Sequence, residues 1–408
     1  MDGATDDVAW RLWREGYDAL PRMWDADPRA YAEDALRARM FGRPCLVVRG
    51  EPGARFFYDE SVVARRGAVP RPLSGLLFGR GAVHGLDDEE HRRRKAMFLE
   101  TLSSERTLTG LVEERLTRAV RRWPELGEFS LHDELVRCYG GAALDWAGIG
   151  VGHFADADRI SRRLAAIVAG FGLTPAPYAR GWAARWWADA WAERIVRRTR
   201  AGRMVAPAGT VLDRVKPDAA WAELPPRVAA VELLNVLRPA VAVAWLGTFA
   251  GWELVRHPGL GPTLADPGQE VARRAFVQEV RRVSPFVPAL LGRVRRETTW
   301  QGHELDVGDA VLLDVPGTNR HPSWGDPDRF RPERFMERPV GEFELVPQGG
   351  GDVRTGHRCP GEDLTASVLD RTVERLAGVS FRVSSGAPDR QRIPALPRLG
   401  LRLSGVRV

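Results

Sequence analysis

Apolar residues recur at helical spacing along most of this chain, and short alternating stretches interrupt them in a few places. The pattern predicts helix over 8–40. It then predicts strands at 45–48 and 55–58, folded into a small hairpin by Gly50-Glu51-Pro52-Gly53, and a short helix at 59–66. A glycine-punctuated loop follows, Phe78-Gly79-Arg80-Gly81-Ala82-Val83-His84-Gly85-Leu86. Asp87-Asp88-Glu89-Glu90 supplies an acidic start to the next helix. Long helices are predicted at about 105–122, 130–147, 153–170 and 178–200. The last carries Trp182, Trp186, Trp187 and Trp191, read as a stripe on one face packed against the core.

The longest predicted helix spans about 224–257 and is apolar nearly throughout, yet Arg238-Pro239 stands in its middle. Proline removes a backbone hydrogen bond and crowds the preceding turn, at about 3 kcal/mol. A guanidinium cannot shed its charge, so burying it without an anion costs several kcal/mol. The helix either ends at Leu237 with Arg238 in water, or runs on with both residues serving a site. The apolar run on both sides favours the second reading. Downstream, 293–314 alternates in short strands with a turn at Gly302. The stretch 318–335 reads as a proline-rich coil too polar for the core, and the last 30 or so residues read as strands and turns.

Composition narrows this picture. The chain has 408 residues, 44% of them hydrophobic, with no repeat period or low-complexity linker. The expectation is a single domain over 1–408. Its three cysteines, Cys45, Cys138 and Cys359, are far apart and odd in number, so no disulfide framework is expected. The first seven residues are polar and acidic, unlike a signal peptide, and the apolar run 239–251 reads as too short to cross a bilayer. These features point to a cytoplasmic protein without membrane contact. Net charge is +6 and comes almost wholly from arginine interspersed with acids. No aromatic-interleaved basic stripe occurs, so nucleic acid is not an expected partner.

Candidate chemistry centres on Gln348-Gly349-Gly350-Gly351-Asp352-Val353-Arg354-Thr355-Gly356-His357-Arg358-Cys359-Pro360-Gly361. The cysteine lies on a glycine-rich loop that enters a predicted helix, a setting in which the helix dipole favours a thiolate. Glycines let a flat cofactor approach, and haem is among the few that take an axial thiolate. A lone cysteine in such a loop is also compatible with an ordinary turn. His91 and Lys95 share a helix face and can hold two carboxylates, or can belong to a solvated basic helix. Glu279 and Arg282 are three apart and can pair. The phosphate-cradle pattern Gly-x-x-x-x-Gly-Lys-Ser/Thr is absent.

The order of the Glu279-Val280-Arg281-Arg282 motif, the Asn319-Arg320-His321-Pro322 to Pro332-Glu333-Arg334-Phe335 coil and the Cys359 loop resembles a cytochrome P-450 over essentially the whole chain. The resemblance implies a mainly α fold with small β-sheets, a triangular helical prism around a buried haem b. It implies Cys359 as the iron ligand, His91, Lys95 and His357 on the haem propionates, and Glu279, Arg282 and Arg334 as a bracing ion cluster. Two departures from the usual pattern stand out. Asp352 and Thr355 replace the usual phenylalanine and glycine of the cysteine loop. Arg238-Pro239 stands where an acid and a threonine usually deliver protons to dioxygen.

Both departures resemble the fatty-acid peroxygenases and olefin-forming decarboxylases within that family. The implied activity is oxidation of fatty acids at Cα or Cβ with hydrogen peroxide and without a redox partner. Arg238 would anchor the substrate carboxylate, which serves as acid and base. Pro239 belongs to the same catalytic unit, while Phe78 and His84 would line the pocket. His84 either donates a hydrogen bond there or only packs the loop. The aromatic helix 178–200 and the segment 171–175 before it would shape the channel. Two rival readings stand beside this one. They are a partner-driven monooxygenase of a non-acid substrate and a non-catalytic haem- or lipid-binding protein.

Overall fold

The computed structural model describes residues 7–408 apart from 104, 151–153, 173 and 218. The acidic residues before Asp7 and Leu173 of the segment 171–175 therefore lie outside the described residues. Helices dominate, and the longest, Pro226–Arg256, has 31 residues. It packs against helices Leu131–Ala147, Pro175–Arg200 and Glu362–Ala377. Its length and composition suffice to cross a membrane, but its apolar window is 83% buried inside the protein. Burial, not the shortness read from the run 239–251, makes it a core element. Pro239 lies inside the helix, which continues unbroken past it. The alternative ending at Leu237 is thus excluded.

The N-terminal third departs from the predicted pattern. Residues 8–33 are helical apart from the extended Asp27, but Ala35–Met40 is a strand. It pairs antiparallel with Arg43–Val48, Met40 opposite Arg43, so the hairpin turns at Phe41-Gly42. The predicted second strand, 55–58, instead belongs to helix Gly50–Phe57 and the turn that ends it. Proline and glycines are tolerated there because they fall in the first turns, where backbone N–H groups have no helical partner. The predicted helix at 59–66 is a turn and the two-residue strand Val63–Ala64.

One five-stranded sheet runs in the order Ala35–Met40, Arg43–Val48, Ala310–Asp314, Ala289–Val294, Val63–Ala64. Alternation sorts its two faces. Leu46, Val48, Val311 and Leu313 join one core cluster, while Cys45, Val47, Ala310 and Leu312 join another. The parallel pairing of Arg43–Val48 with Ala310–Asp314 ties the N-terminal third to the region before the cysteine loop. Glu128–Ser130, Arg402–Arg407 and Ser380–Val383 form a second sheet.

The tryptophans of helix Pro175–Arg200 do not form one stripe. At 100° per residue they split into two flanking pairs. Trp187 and Trp191 stack at 5.5 Å, while Trp182 and Trp186 tilt at 5.9 Å. The buried face of the helix is made instead by small residues such as Ala184, Ala188 and Ala192, with Arg185. Trp186 is 67% exposed, so core packing is not its role. The coil 318–335 is also corrected. Thr318, Asn319, Trp324 and Arg334 are buried; the Thr318 hydroxyl, the Asn319 amide oxygen and the terminal nitrogens of Arg334 are bonded within the coil and to its neighbours.

Candidate active site

The cysteine loop is built by backbone before side chains. Gly349 and Gly351 adopt φ of +98° and +82°, a region that favours glycine. A Cβ on Gly349 would sit 2.7 Å from the Tyr58 hydroxyl. The Cys359 N–H donates to the Gln348 carbonyl at 3.0 Å, closing the loop. The Gln348 amide donates to Cys359 Sγ at 3.7 Å and to Thr365 Oγ1 at 3.1 Å. Burial pushes the Cys359 thiol up, against the pull of the Gly361 N–H, Lys95 and Gln348. The Gly361 N–H at the helix entrance thus favours the thiolate, as the sequence suggested, while burial opposes it; a metal replacing the proton would side with the N–H. Glu362 braces the loop, pairing with Arg358 at 2.6 Å and with the buried Arg281.

Behind that loop the structure brings Glu279, Arg282 and Arg334 together. Arg282 grips Glu279 with two bonds, 2.7 and 2.8 Å long, and neither side chain has exposed surface. Arg334 Nε lies 3.3 Å from the same carboxylate. The remaining guanidinium N–H groups bond backbone carbonyls of Asn319, Trp324, Asp326, Pro327 and Arg329. A buried ion pair holds only when its spare donors are satisfied, and here the coil supplies the acceptors. That explains why so polar a segment is buried.

His91 and Lys95 face inward from helix Asp88–Leu102, 2% and 3% exposed. The solvated-helix alternative therefore does not apply to them. His91 stacks on His357 with ring centroids 3.8 Å apart. Burial, then His357 and Lys95, hold His91 down to about 3, while burial holds Lys95 down to about 8 against the pull of Cys359, Asp352 and Glu60. Burial raises the Asp87 carboxyl, but His357 and the Arg65 and Arg66 N–H groups outweigh it and hold it low. Buried Arg65 Nη1, His91 Nδ1 and His357 Nε2 have no hydrogen-bond partner. Orphaned donors beside a crowd of bases suit a pair of carboxylates, as haem propionates would provide.

On the opposite side stand Arg238 and the 78–86 loop. Arg238 is 8% exposed, its Nε has no partner, and its Nη2 reaches only Asn235 Oδ1 at 3.5 Å. Burial and the nearby Arg185 push it down to about 10. Pro239 and Ala240 keep some accessible surface, while the residues just before and after them on the helix are buried. Phe78 stacks on His84 with centroids 4.1 Å apart, and Arg238 lies 6.0 Å from the Phe78 ring. His84 keeps accessible surface although protein atoms crowd around it. Burial, then Arg238, His357, His91 and Lys95, hold it down to about 3. Arg238, His357, His91 and Lys95 thus all lie near enough to His84 to act on its charge. Phe171 is half-buried against the core.

Three comparisons bear on this geometry. The cytochrome P450 family profile matches residues 272–370, which span the Glu279 helix, the coil and the cysteine loop. Cytochrome P450SP alpha (CYP152B1), solved in complex with (R)-ibuprofen, is 33% identical, with a TM-score of 0.90 over 98% of this chain and 99% of that one. This chain belongs to the cytochrome P450 family. Within it, cytochrome P450EX alpha (CYP152N1) with myristic acid is 29% identical, at TM-score 0.90 over 98% of this chain and 97% of that one. A variant of cytochrome P450 OleT in complex with arachidonic acid is 28% identical, at TM-score 0.89 over 98% and 96%. Curated relatives match over less. Cytochrome P450 71A8 of Mentha piperita is 31% identical over 34% of this chain, which spans 30% of that protein's length. The cofactor of the family is haem with a thiolate-bound iron, and the donors around Cys359, His91 and His357 fit it.

Reading the sequence alone missed Gln348, Arg281 and Glu362 around the thiol, and Glu232, Asn235 and Arg185 near Arg238. Glu232 and Asn235 were legible in principle. With Arg238 they stand three apart along an apolar helix, a polar line where an apolar face was due.

Proposed function

We propose that this chain is a haem-thiolate oxidoreductase that oxidises fatty acids at Cα or Cβ with hydrogen peroxide, by hydroxylation or by decarboxylation to a terminal alkene. One observation carries the reading. The Arg238 guanidinium is buried in mid-helix and pairs with no carboxylate among the described residues. Such a charge is costly until an anion meets it, and a fatty-acid headgroup is an anion with an apolar tail. The related structures support this, since ibuprofen, myristic acid and arachidonic acid are all carboxylic acids.

When bound through Cys359, with propionates toward His91, Lys95 and His357, the haem supplies oxidising chemistry at its iron and the thiolate pushes electron density toward it. Arg238 holds the carboxylate by two charge-assisted bonds. The carboxylate oxygen then takes a proton from one peroxide oxygen and returns it to the other, the base-then-acid work that splitting peroxide needs. Between Arg238 and Thr248 the helix carries no ionisable or hydroxyl side chain. Thr248 itself donates to the Ala244 carbonyl at 2.6 Å. That stretch of the helix thus offers no proton donor, and the substrate fills the role. His84, pushed toward its neutral form, offers one N–H and one lone pair beside Phe78. Glu279, Arg282 and Arg334 hold the loop that carries the thiolate.

On this reading neither redox partner, membrane nor nucleic acid takes part, and the enzyme works in the cytoplasm. Its three cysteines are free, as a reducing compartment requires. The test mixes purified holoenzyme, hydrogen peroxide and a panel of fatty acids, with products identified by mass spectrometry. Arg238→Ala should retain haem but lose turnover of every acid. Turnover by that variant, or activity only with a reductase system, overturns the proposal.

A further inference from the structure

Arg238 does not stand alone on its helix. One turn earlier is Asn235, and one turn before that Glu232, with no exposed surface. Glu232 is a buried acid within reach of the anchor's helix face, and it could have neutralised Arg238. It does not, because both its oxygens are already engaged. Oε1 accepts from the Val83 N–H at 2.9 Å and from Arg94 Nη1 at 2.6 Å. Oε2 accepts from Asn235 Nδ2 at 2.9 Å.

Asn235 is the spacer between them. Its amide N–H₂ donates to Glu232 and, at 3.0 Å, to the Phe78 carbonyl. That leaves only its neutral Oδ1 to face Arg238 Nη2, at 3.5 Å. An asparagine oxygen orients a guanidinium without cancelling its charge, whereas an aspartate there would occupy the place of the substrate. Pro239 adds to this, since it cannot donate to the Asn235 main-chain carbonyl one turn back.

The same two residues fix the loop. Asn235 ties it at Phe78 and Glu232 ties it at Val83, on either side of the glycine turn and next to His84. The loop must lie flat for this. Gly79 has φ +88°, and a Cβ on it would stand 2.8 Å from Val231 and 2.3 Å from Arg185.

We propose that Glu232 and Asn235 are positioning residues for the acid headgroup. Glu232 fastens the Phe78–His84 loop to the long helix. Asn235 steadies Arg238 with a neutral oxygen so that its charge stays free for the substrate. The inference rests on Arg238 as carboxylate anchor, and the experiment separates the two.

Holoenzyme variants are titrated with myristic acid by the haem optical shift, with imidazole as a ligand that needs no anchor. Asn235→Asp should weaken myristate binding by about tenfold and leave imidazole affinity unchanged. Glu232→Gln keeps size and the Val83 bond but turns an N–H toward Asn235. Asn235→Ala drops the tie to Phe78. Both should change the ratio of Cα to Cβ products by about threefold. A merely structural role would lower haem content and leave that ratio alone. Wild-type myristate affinity in Asn235→Asp, or an unmoved ratio in both other variants, overturns the proposal. Wild-type affinity in Arg238→Ala overturns the anchor itself. Loss of binding there together with wild-type behaviour of Asn235→Asp condemns only the positioning role.

Discussion

Phe78 and His84 lie ring on ring, with planes 14° apart, on a loop held to the helix that carries Arg238. The stack decides where the His84 nitrogens point. Phe78→Ala leaves that ring free to turn. We predict a changed ratio of hydroxy acid to alkene at nearly unchanged acid affinity, read by gas chromatography of the products. An unchanged ratio removes the stack from the control of outcome.

Glu279 and Arg282 form a doubly bonded pair without exposed surface. Removing one partner strands the other charge, at about 3–5 kcal/mol. Glu279→Gln should lower the urea midpoint accordingly and release haem at urea concentrations where the wild type keeps it. The Soret band and far-ultraviolet circular dichroism follow the two events separately.

Gln348 places an amide N–H toward Cys359 Sγ. A donor to a thiolate withdraws charge and raises the iron potential. Gln348→Leu should make the haem potential more negative while the carbon-monoxide difference band of a thiolate-ligated haem persists. Cys359→Ser should lose that band.

His132 gives a pH dependence of stability. It is 7% exposed and meets Thr248 Oγ1 at 3.3 Å. Burial, then Arg392, holds it down to about 3, although the Ala244 carbonyl pulls the other way. Between about pH 3 and 6.5 the unfolded chain binds a proton that the folded chain refuses. Stability therefore rises with pH across that window and is lost as pH falls, by about 1.4 kcal/mol per unit for one proton. His132→Gln should flatten the urea-midpoint profile between pH 4.5 and 6.5 by about that slope. An unaltered profile would show that this ring is protonated inside the fold.

Sequence pattern by itself determined the long helices, because side-chain spacing along one helix is local. It also exposed the anomaly at Arg238-Pro239 and the cysteine loop, since a charge or a glycine run in the wrong context is visible without coordinates. Tertiary structure decided the rest. Residues 35–40 are a strand because Arg43–Val48 offers them backbone partners, and 55–58 end a helix because no strand pairs with them. Lys95 is buried and Arg93 beside it is not, a difference set by which helix face meets the cysteine loop. Glu232 fails to neutralise Arg238 only because Val83, Arg94 and Asn235 reach it first, and two of those bonds join residues that sequence distance keeps apart. Periodicity reports how a segment divides apolar from polar positions. It carries no record of which distant group will take up a given hydrogen bond or charge, and in this protein those pairings set the chemistry of the site.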